Sequence, residues 1–262
     1  KQVMEVELPR KGIIHDLQIT ANYVVIFYAP TYHSVEKAMK GEDPFVWEPE
    51  LGTKIIAIPR DGSGENIVFE TESFFSWHFC NGFESGGKIV LDYVWINSIP
   101  FTQSQGTGVE KQPRRMYRMT LDMVTRQVTN EQFSDVFCEF SRIDERLMGK
   151  DYRYGFATCS NREWGDAHGY NCTGSFDFQT GETVLWEYGE KANAGEPVHV
   201  PNPDSDKEED GWLMCFVDNP GEGPFLSILS AGNITDGPVA KVHIPGRVPN
   251  GFHANWMQNL TL

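Results

Sequence analysis

KIIAIPRDGSGENIVFE, residues 54–70, holds two β-rich runs, KIIAIP and IVFE, on either side of a polar stretch that contains Asp61, Gly62, Gly64 and Asn66. Branched and aromatic side chains suit a pleated surface, and Asp, Gly and Asn suit a turn, so the stretch reads as a β-hairpin. The pattern returns in YRMTLDMVTRQVTNEQF (117–133), GSFDFQTGETVLWEY (174–188) and FLSILSAGNITDGPVAKVHI (225–244). Ile58, Leu121, Phe178 and Leu229 stand at equivalent places before the turns, at intervals of 63, 57 and 51 residues. Between these hairpins lie further strand-like runs, YVVIFY (23–28), KIVLDYVW (88–95) and WLMCFVD (212–218), and helical periodicity is almost absent. A hairpin that recurs at this interval, with another strand pair between copies, fits four-stranded propeller blades. A β-sandwich is the alternative, but its turns come at shorter and more uniform spacing. The expected fold class is therefore all-β, a β-propeller, with residues 1–262 as a single domain. The acidic stretch NPDSDKEED (202–210) reads as a surface loop rather than a linker.

Composition narrows the function classes. The chain has 262 residues, 40% of them hydrophobic and 13% aromatic, which is enough to bury a large core. A net charge of −15 argues against nucleic acid, since phosphate contact needs clustered Lys and Arg. The five cysteines are scattered with no CxxC pair, so they read as free, mostly buried thiols of a reducing compartment. Three Asn-X-Thr tripeptides, at Asn171, Asn233 and Asn259, carry little weight without a signal peptide. The apolar runs are far too short to span a bilayer as helices. A cytoplasmic location is expected, with peripheral membrane contact open and no obligate protein partner. The chain opens at Lys1 in polypeptide that already reads as mid-domain, so an N-terminally incomplete sequence is expected.

A second series runs at the same interval. His15, His78, Glu139, Glu196 and His253 are separated by 63, 61, 57 and 57 residues. HExxH, the P-loop, GxGxxG after a strand and GxSxG are all absent, so any catalytic site rests on dispersed histidines. His78 lies among Phe75, Trp77 and Phe79, and His253 among Gly251, Phe252 and Trp256, while His15 precedes an apolar strand. Such neighbours would strip water from the ring and favour the neutral imidazole that binds metals. Taken singly, each histidine is better read as a satisfied core residue; taken together at one phase, they gain weight as metal ligands. Glu139 and Glu196, beside apolar segments, are candidates to accept a hydrogen bond from a ligand histidine. His33, His168, His199 and His243 lack that context and read as ordinary surface or strand residues. Phe75, Trp77, Phe79, Phe252 and Trp256 could line an apolar tunnel, although packing in the core is the expected role for most of them.

HDLQITANYVV from His15, WHFCNGFESGGKIVLD around His78 and EFSRIDERLMGKDYRYGFA from Glu139 carry a more specific signal. So do EPVHVPNPDSDKEEDGWLMCFV from Glu196 and GRVPNGFHANW around His253. Together they resemble the carotenoid cleavage oxygenases, also called the retinal pigment epithelium protein family. The resemblance implies a seven-bladed propeller, of which this chain would be roughly the C-terminal half to two thirds. It implies a non-haem Fe(II) on four histidines, with three glutamates around them. His15, His78 and His253 resemble the second, third and fourth ligands, and Glu139 and Glu196 two of the glutamates. The first histidine and the first glutamate would lie upstream of Lys1. The implied activity is cleavage of a C=C bond of an apolar carotenoid or apocarotenoid by O2, giving two carbonyl products. Stilbene cleavage is the close alternative. A metal-free propeller used for binding or scaffolding is the alternative from another class.

Overall fold

Each of the four hairpins forms where polar turn residues interrupt apolar runs, and the computed structural model, which describes residues 5–99, 113–162 and 169–257, is nearly all β. His168 and the tripeptide at Asn259 lie outside the described residues. The strands are β1 (Gln18–Ile19), β2 (Tyr23–Tyr28), β3 (Thr31–His33), β4 (Phe45–Trp47), β5 (Thr53–Pro59) and β6 (Ile67–Thr71). They continue as β7 (Phe79–Ser85), β8 (Lys88–Ile96), β9 (Arg114–Asp122), β10 (Val128–Arg142), β11 (Tyr154–Ser160) and β12 (Cys172–Asp177). The last are β13 (Glu182–Glu187), β14 (Asn193–Ala194), β15 (Val198–Val200), β16 (Trp212–Asn219), β17 (Gly223–Ser230) and β18 (Pro238–His243). The expected strands at 23–28, 88–95 and 212–218 are β2, β8 and β16 to within a residue.

The chain divides into two compact units, Lys1–Glu131 and Gln132–Leu262. In the first, one sheet has the order β1-β2-β5-β6, and β7, β8, β9 and the opening of β10 follow one another in a second. A short pair, β3 and β4, flanks helix α1 (Val35–Met39). Ser85 pairs with Lys88, leaving Gly86 and Gly87 alone in the β7–β8 turn at φ 57° and 75°. A two-residue turn with both φ positive matches the twist of its strands and favours glycine strongly. Val25, Phe27, Ile55 and Phe69 of the first sheet pack against Phe79, Leu91, Tyr93 and Met119 of the second. Each such side chain contributes roughly 1.5–3 kcal/mol on burial.

In the second unit, the rest of β10 leads the order β10-β11-β12-β13, and β14 and β15 pair side by side along β16, followed by β17 and β18. Phe156, Leu213, Val217, Phe225 and Leu229 form its core. Burial falls across this sheet from Val198, His199 and Val200 of β15 to the exposed residues of β18, as in a sheet covered only at one side. Residues 202–210 form a loop that closes on a short 3-10 turn, Glu208–Asp210. Glu208 is nonetheless half-buried, because its carboxylate accepts from the backbone N–H groups of Arg153 and Tyr154 at 2.9 Å.

Four runs of antiparallel strands thus follow one another along the chain, and each begins near one residue of the His/Glu series. β1 follows His15, β7 follows His78, the second half of β10 carries Glu139, and β15 follows Glu196. The sixty-residue interval is one such run of strands.

Candidate metal centre

Two of the expected ligands meet in the first unit. The rings of His15 and His78 are 5.3 Å apart between centroids and nearly perpendicular, and the nitrogens that could bind a metal lie within 4.8 Å of each other. His78 enters this position from the sheet, since its backbone carbonyl accepts from the N–H of Val94 at 3.0 Å just before β7 starts. His15 sits on the segment before β1, and Asp16 ties that segment down. One carboxylate oxygen of Asp16 accepts from the N–H of Leu17 at 2.7 Å, and the other from the N–H of Phe79 at 2.9 Å. One aspartate therefore links the residue after His15 to the residue after His78. Trp77 supports the His15 ring edge-on, with 4.6 Å between centroids.

The second unit holds His253 and both glutamates. Glu196 is buried, and its Oε1 lies 3.1 Å from Nδ1 of His253. A carboxylate can only accept, so Nδ1 is the donor, and in the neutral ring Nε2 is then the nitrogen with a lone pair for a metal. The other oxygen of Glu196 accepts from the backbone N–H of Ala254 at 2.7 Å and faces Nη1 of Arg142 at 3.2 Å. Glu139 is buried on β10, in register with Thr158 of β11, and its Oε2 accepts from the N–H of Phe140 at 2.8 Å. The β10–β11 register shifts between Glu139 and Arg142, and Phe140 has φ 53° there. Such a conformation costs a non-glycine residue of order 1–3 kcal/mol and tends to persist where side chains must be aimed. Here it sets the Phe140 ring edge-on to His253, 5.5 Å between centroids.

Paired imidazoles such as His15 and His78 in the first unit, and an imidazole backed by a buried carboxylate such as His253 in the second, suit a borderline divalent metal such as iron, zinc or copper. Iron would fit donors of this kind: His253 has its Nδ1 against a buried carboxylate, and neutral ligands would leave the ion its full positive charge.

Water exclusion differs from the expectation. His15 and His253 are exposed, the His253 side chain by half, and only His78 is partly covered. The reason is that sequence neighbours do not cover these rings. Phe252 is 76% exposed and Trp256 44%, while Ile14 and Leu17 beside His15 are exposed as well. Phe75 and Phe79 do join the core, and Trp77 packs at its edge.

His33, His199 and His243 behave as ordinary residues of strands and surface. His199 on β15 is buried, stacks on Phe156 at 5.7 Å and contacts the Glu208 carbonyl through Nε2 at 3.0 Å. Burial holds its pKa below the usual 6.5. His33 and His243 are exposed at strand ends. All five cysteines are buried, and none is in a disulfide. Burial raises the Cys159 and Cys215 thiols, and brings Cys172 to about 11, so these three stay protonated near neutrality and are poor nucleophiles. Asp16, Phe140 and Arg142 escaped the sequence reading. A His-Asp dipeptide and an arginine three residues after Glu139 are the only local signals for two of them.

Known proteins resemble this chain along nearly its whole length. The family described as retinal pigment epithelial membrane protein matches residues 1–258. Isoeugenol monooxygenase of Pseudomonas nitroreducens is 30% identical, over 96% of this chain and 56% of that protein. Apocarotenoid-15,15'-oxygenase of Synechocystis is 29% identical, over 95% and 53%. Lignostilbene-alpha,beta-dioxygenase isozyme III of Sphingomonas paucimobilis is 28% identical, over 96% and 56%. The crystal structure of cobalt-substituted Synechocystis ACO superposes with a TM-score of 0.86 at 28% identity, over 95% of this chain and 53% of that one. The matched structures are seven-bladed β-propellers, and the fold class of this chain is theirs. The chain spans about half the length of the curated relatives it matches. With its matched segments covering nearly every residue, the chain belongs to the retinal pigment epithelial membrane protein family, the carotenoid cleavage oxygenases.

Proposed function

We propose that this chain is part of an Fe(II)-dependent dioxygenase that cleaves a C=C bond of a carotenoid or apocarotenoid with O2. The alkene gains one oxygen atom at each carbon and yields two carbonyl products, so the atoms of O2 are fully used. His15, His78 and His253 are the proposed ligands, with Glu139 and Glu196 as the carboxylates that orient them. The single observation that carries the reading is the buried Glu196 carboxylate on Nδ1 of His253, which supports a ligand role for Nε2.

Bound iron would supply a reduced centre able to activate O2. The protein's own groups do the rest. Glu196 fixes the proton on Nδ1 of His253, so the ring neither flips nor loses its donor to solvent. Asp16 holds the His15 and His78 segments in one register, and Trp77 limits rotation of His15. Preorganised ligands of this kind spare the site reorganisation during turnover.

A second reading is cleavage of an aryl alkene of the stilbene type. It is favoured by relatives named for isoeugenol and lignostilbene, which match this chain as closely as the apocarotenoid enzyme does. The protein is to be loaded with Fe(II) anaerobically, analysed for metal and assayed with apocarotenals and hydroxystilbenes. Aldehyde products from one class select between the readings. Products from neither class defeat both, and failure to retain iron supports a metal-free propeller used for binding.

Among the described residues, no helix is long and apolar enough to cross a membrane. The reading includes a cytoplasmic enzyme in peripheral contact with membranes, where apolar polyenes partition. Exposed Val35 and Met39, one turn apart on α1, support that contact, and co-sedimentation with lipid vesicles tests it.

A further inference from the structure

Arg142 is the one cation on the Glu196–His253 pair in the second unit, among the described residues, and its contacts exceed what a surface ion pair needs. Its side chain is only 15% exposed, and that of Glu196 3%. Nη1 lies 3.2 Å from Oε2 of Glu196 and donates to the backbone carbonyl of Ala254 at 2.9 Å. Nη2 donates to Oδ1 of Asn255 at 2.7 Å and to the carboxylate of Glu145. One guanidinium thus grips the carboxylate that holds His253 and the two residues that follow His253.

The strand geometry explains how it gets there. The register shift in β10 falls between Glu139 and Arg142, with Phe140 at positive φ within it. Without that bulge, residues 139 and 142 would keep the strict alternation of a strand and point to opposite faces. The bulge frees Arg142 to reach Glu196 while Phe140 meets the His253 ring.

We propose that Arg142 is a positioning residue for His253: it fixes the Glu196 carboxylate and the 253–255 backbone together, and so holds His253 in its Nδ1–H tautomer. The inference rests on the ligand role assigned to His253 above. A planar guanidinium can meet a carboxylate oxygen, a carbonyl and an amide oxygen at once, which a lysine ammonium at the end of a flexible stem does not reproduce. A buried carboxylate that loses its cation is left without the partner that fixes its orientation, and once it turns away it no longer dictates the tautomer of the ring beside it.

The test compares wild type, Arg142→Lys and Arg142→Met in the full-length protein by two measurements. In the first, 15N spectra of histidine-labelled, metal-free protein report the His253 tautomer, with assignment by His253→Gln. Wild type should show Nδ1–H alone, Arg142→Met a mixture of tautomers, and Arg142→Lys an intermediate pattern. In the second, Co(II) affinity is read by chelator competition. It should fall by about 10–100-fold in Arg142→Met, the range seen when an outer partner of a metal ligand is removed. Thermal unfolding of the metal-free variants accompanies both. A single Nδ1–H tautomer in folded Arg142→Met overturns the inference, and so does metal affinity that falls only in proportion to lost folded protein. If wild type binds no Co(II) or Fe(II) but the tautomer still depends on Arg142, the positioning role stands and the iron reading fails.

Discussion

Oε1 of Glu196 lies 3.1 Å from Nδ1 of His253, although the two residues are 57 positions apart. The carboxylate is buried and the imidazole half-exposed, so the acid is the fixed member of the pair and the ring is held by it. Glu196→Gln keeps an oxygen acceptor but loses the charge that Arg142 faces, and metal affinity should drop by about tenfold. Glu196→Ala removes the acceptor, and the drop should approach about a hundredfold. Chelator competition measures both, and equal affinity in all three proteins would reject the pairing as functional.

His15 and His78, with their ring nitrogens within 4.8 Å, should be required for metal retention. His15→Ala and His78→Ala are expected to lose bound iron after desalting. His243→Ala, on the exposed edge strand β18, should keep the wild-type iron content. Metal analysis of the three proteins side by side decides this, and the His243 variant controls for nonspecific loss.

Asp16 joins two segments by accepting from the N–H groups of Leu17 and Phe79. A hydrogen bond to a charged acceptor contributes about 1.5–3 kcal/mol, and partial exposure of Asp16 reduces this. Asp16→Ala should therefore destabilise the protein by about 1–2 kcal/mol in urea unfolding and weaken metal binding as well. Asp16→Asn, which retains one oxygen acceptor, should recover part of both.

His199 should make stability fall in mild acid. Burial holds its folded-state pKa below the ordinary 6.5, so the unfolded chain takes up the proton first. The contribution is fully present above pH 6.5 and is lost as pH falls below it, down to the lowered folded value. Thermal midpoints from pH 8 to pH 5, compared with His199→Gln, should converge as pH drops; parallel curves would show that His199 does not titrate in this window.

Gly174 on β12 leaves no room for a side chain, because a Cβ there would sit 2.5 Å from Sγ of Cys159. Gly174→Ala should cost about 1–3 kcal/mol through overpacking. Cys159→Ala removes the obstructing sulfur, so the double variant should cost less than the two single losses added together. Equilibrium unfolding of the four proteins measures the coupling.

The hairpins were legible because each carries its own turn. Asp61 to Asn66 interrupts one apolar run, and any chain with that pattern favours reversal wherever it is placed. The site was legible in part. Glu196 was readable as an acid in need of a partner, since it lies among apolar neighbours, and the structure supplies His253. Exposure was not legible. Phe252 and Trp256 flank His253 in sequence yet project into solvent, because cover for a ring comes from whatever packs over it and not from adjacent residues.

Sequence alone determined the all-β class, the recurrence of a run of strands about every sixty residues and the five His and Glu positions, since these depend on local preference and on residue type. Only tertiary structure decided which groups meet. Asp16 reaches Phe79 across 63 residues, and Arg142 reaches Ala254 across 112. Phe140 takes a positive φ that nothing in its side chain favours. Contacts over such separations follow from strand register and a bulge, and register is set by the cooperative packing of whole sheets.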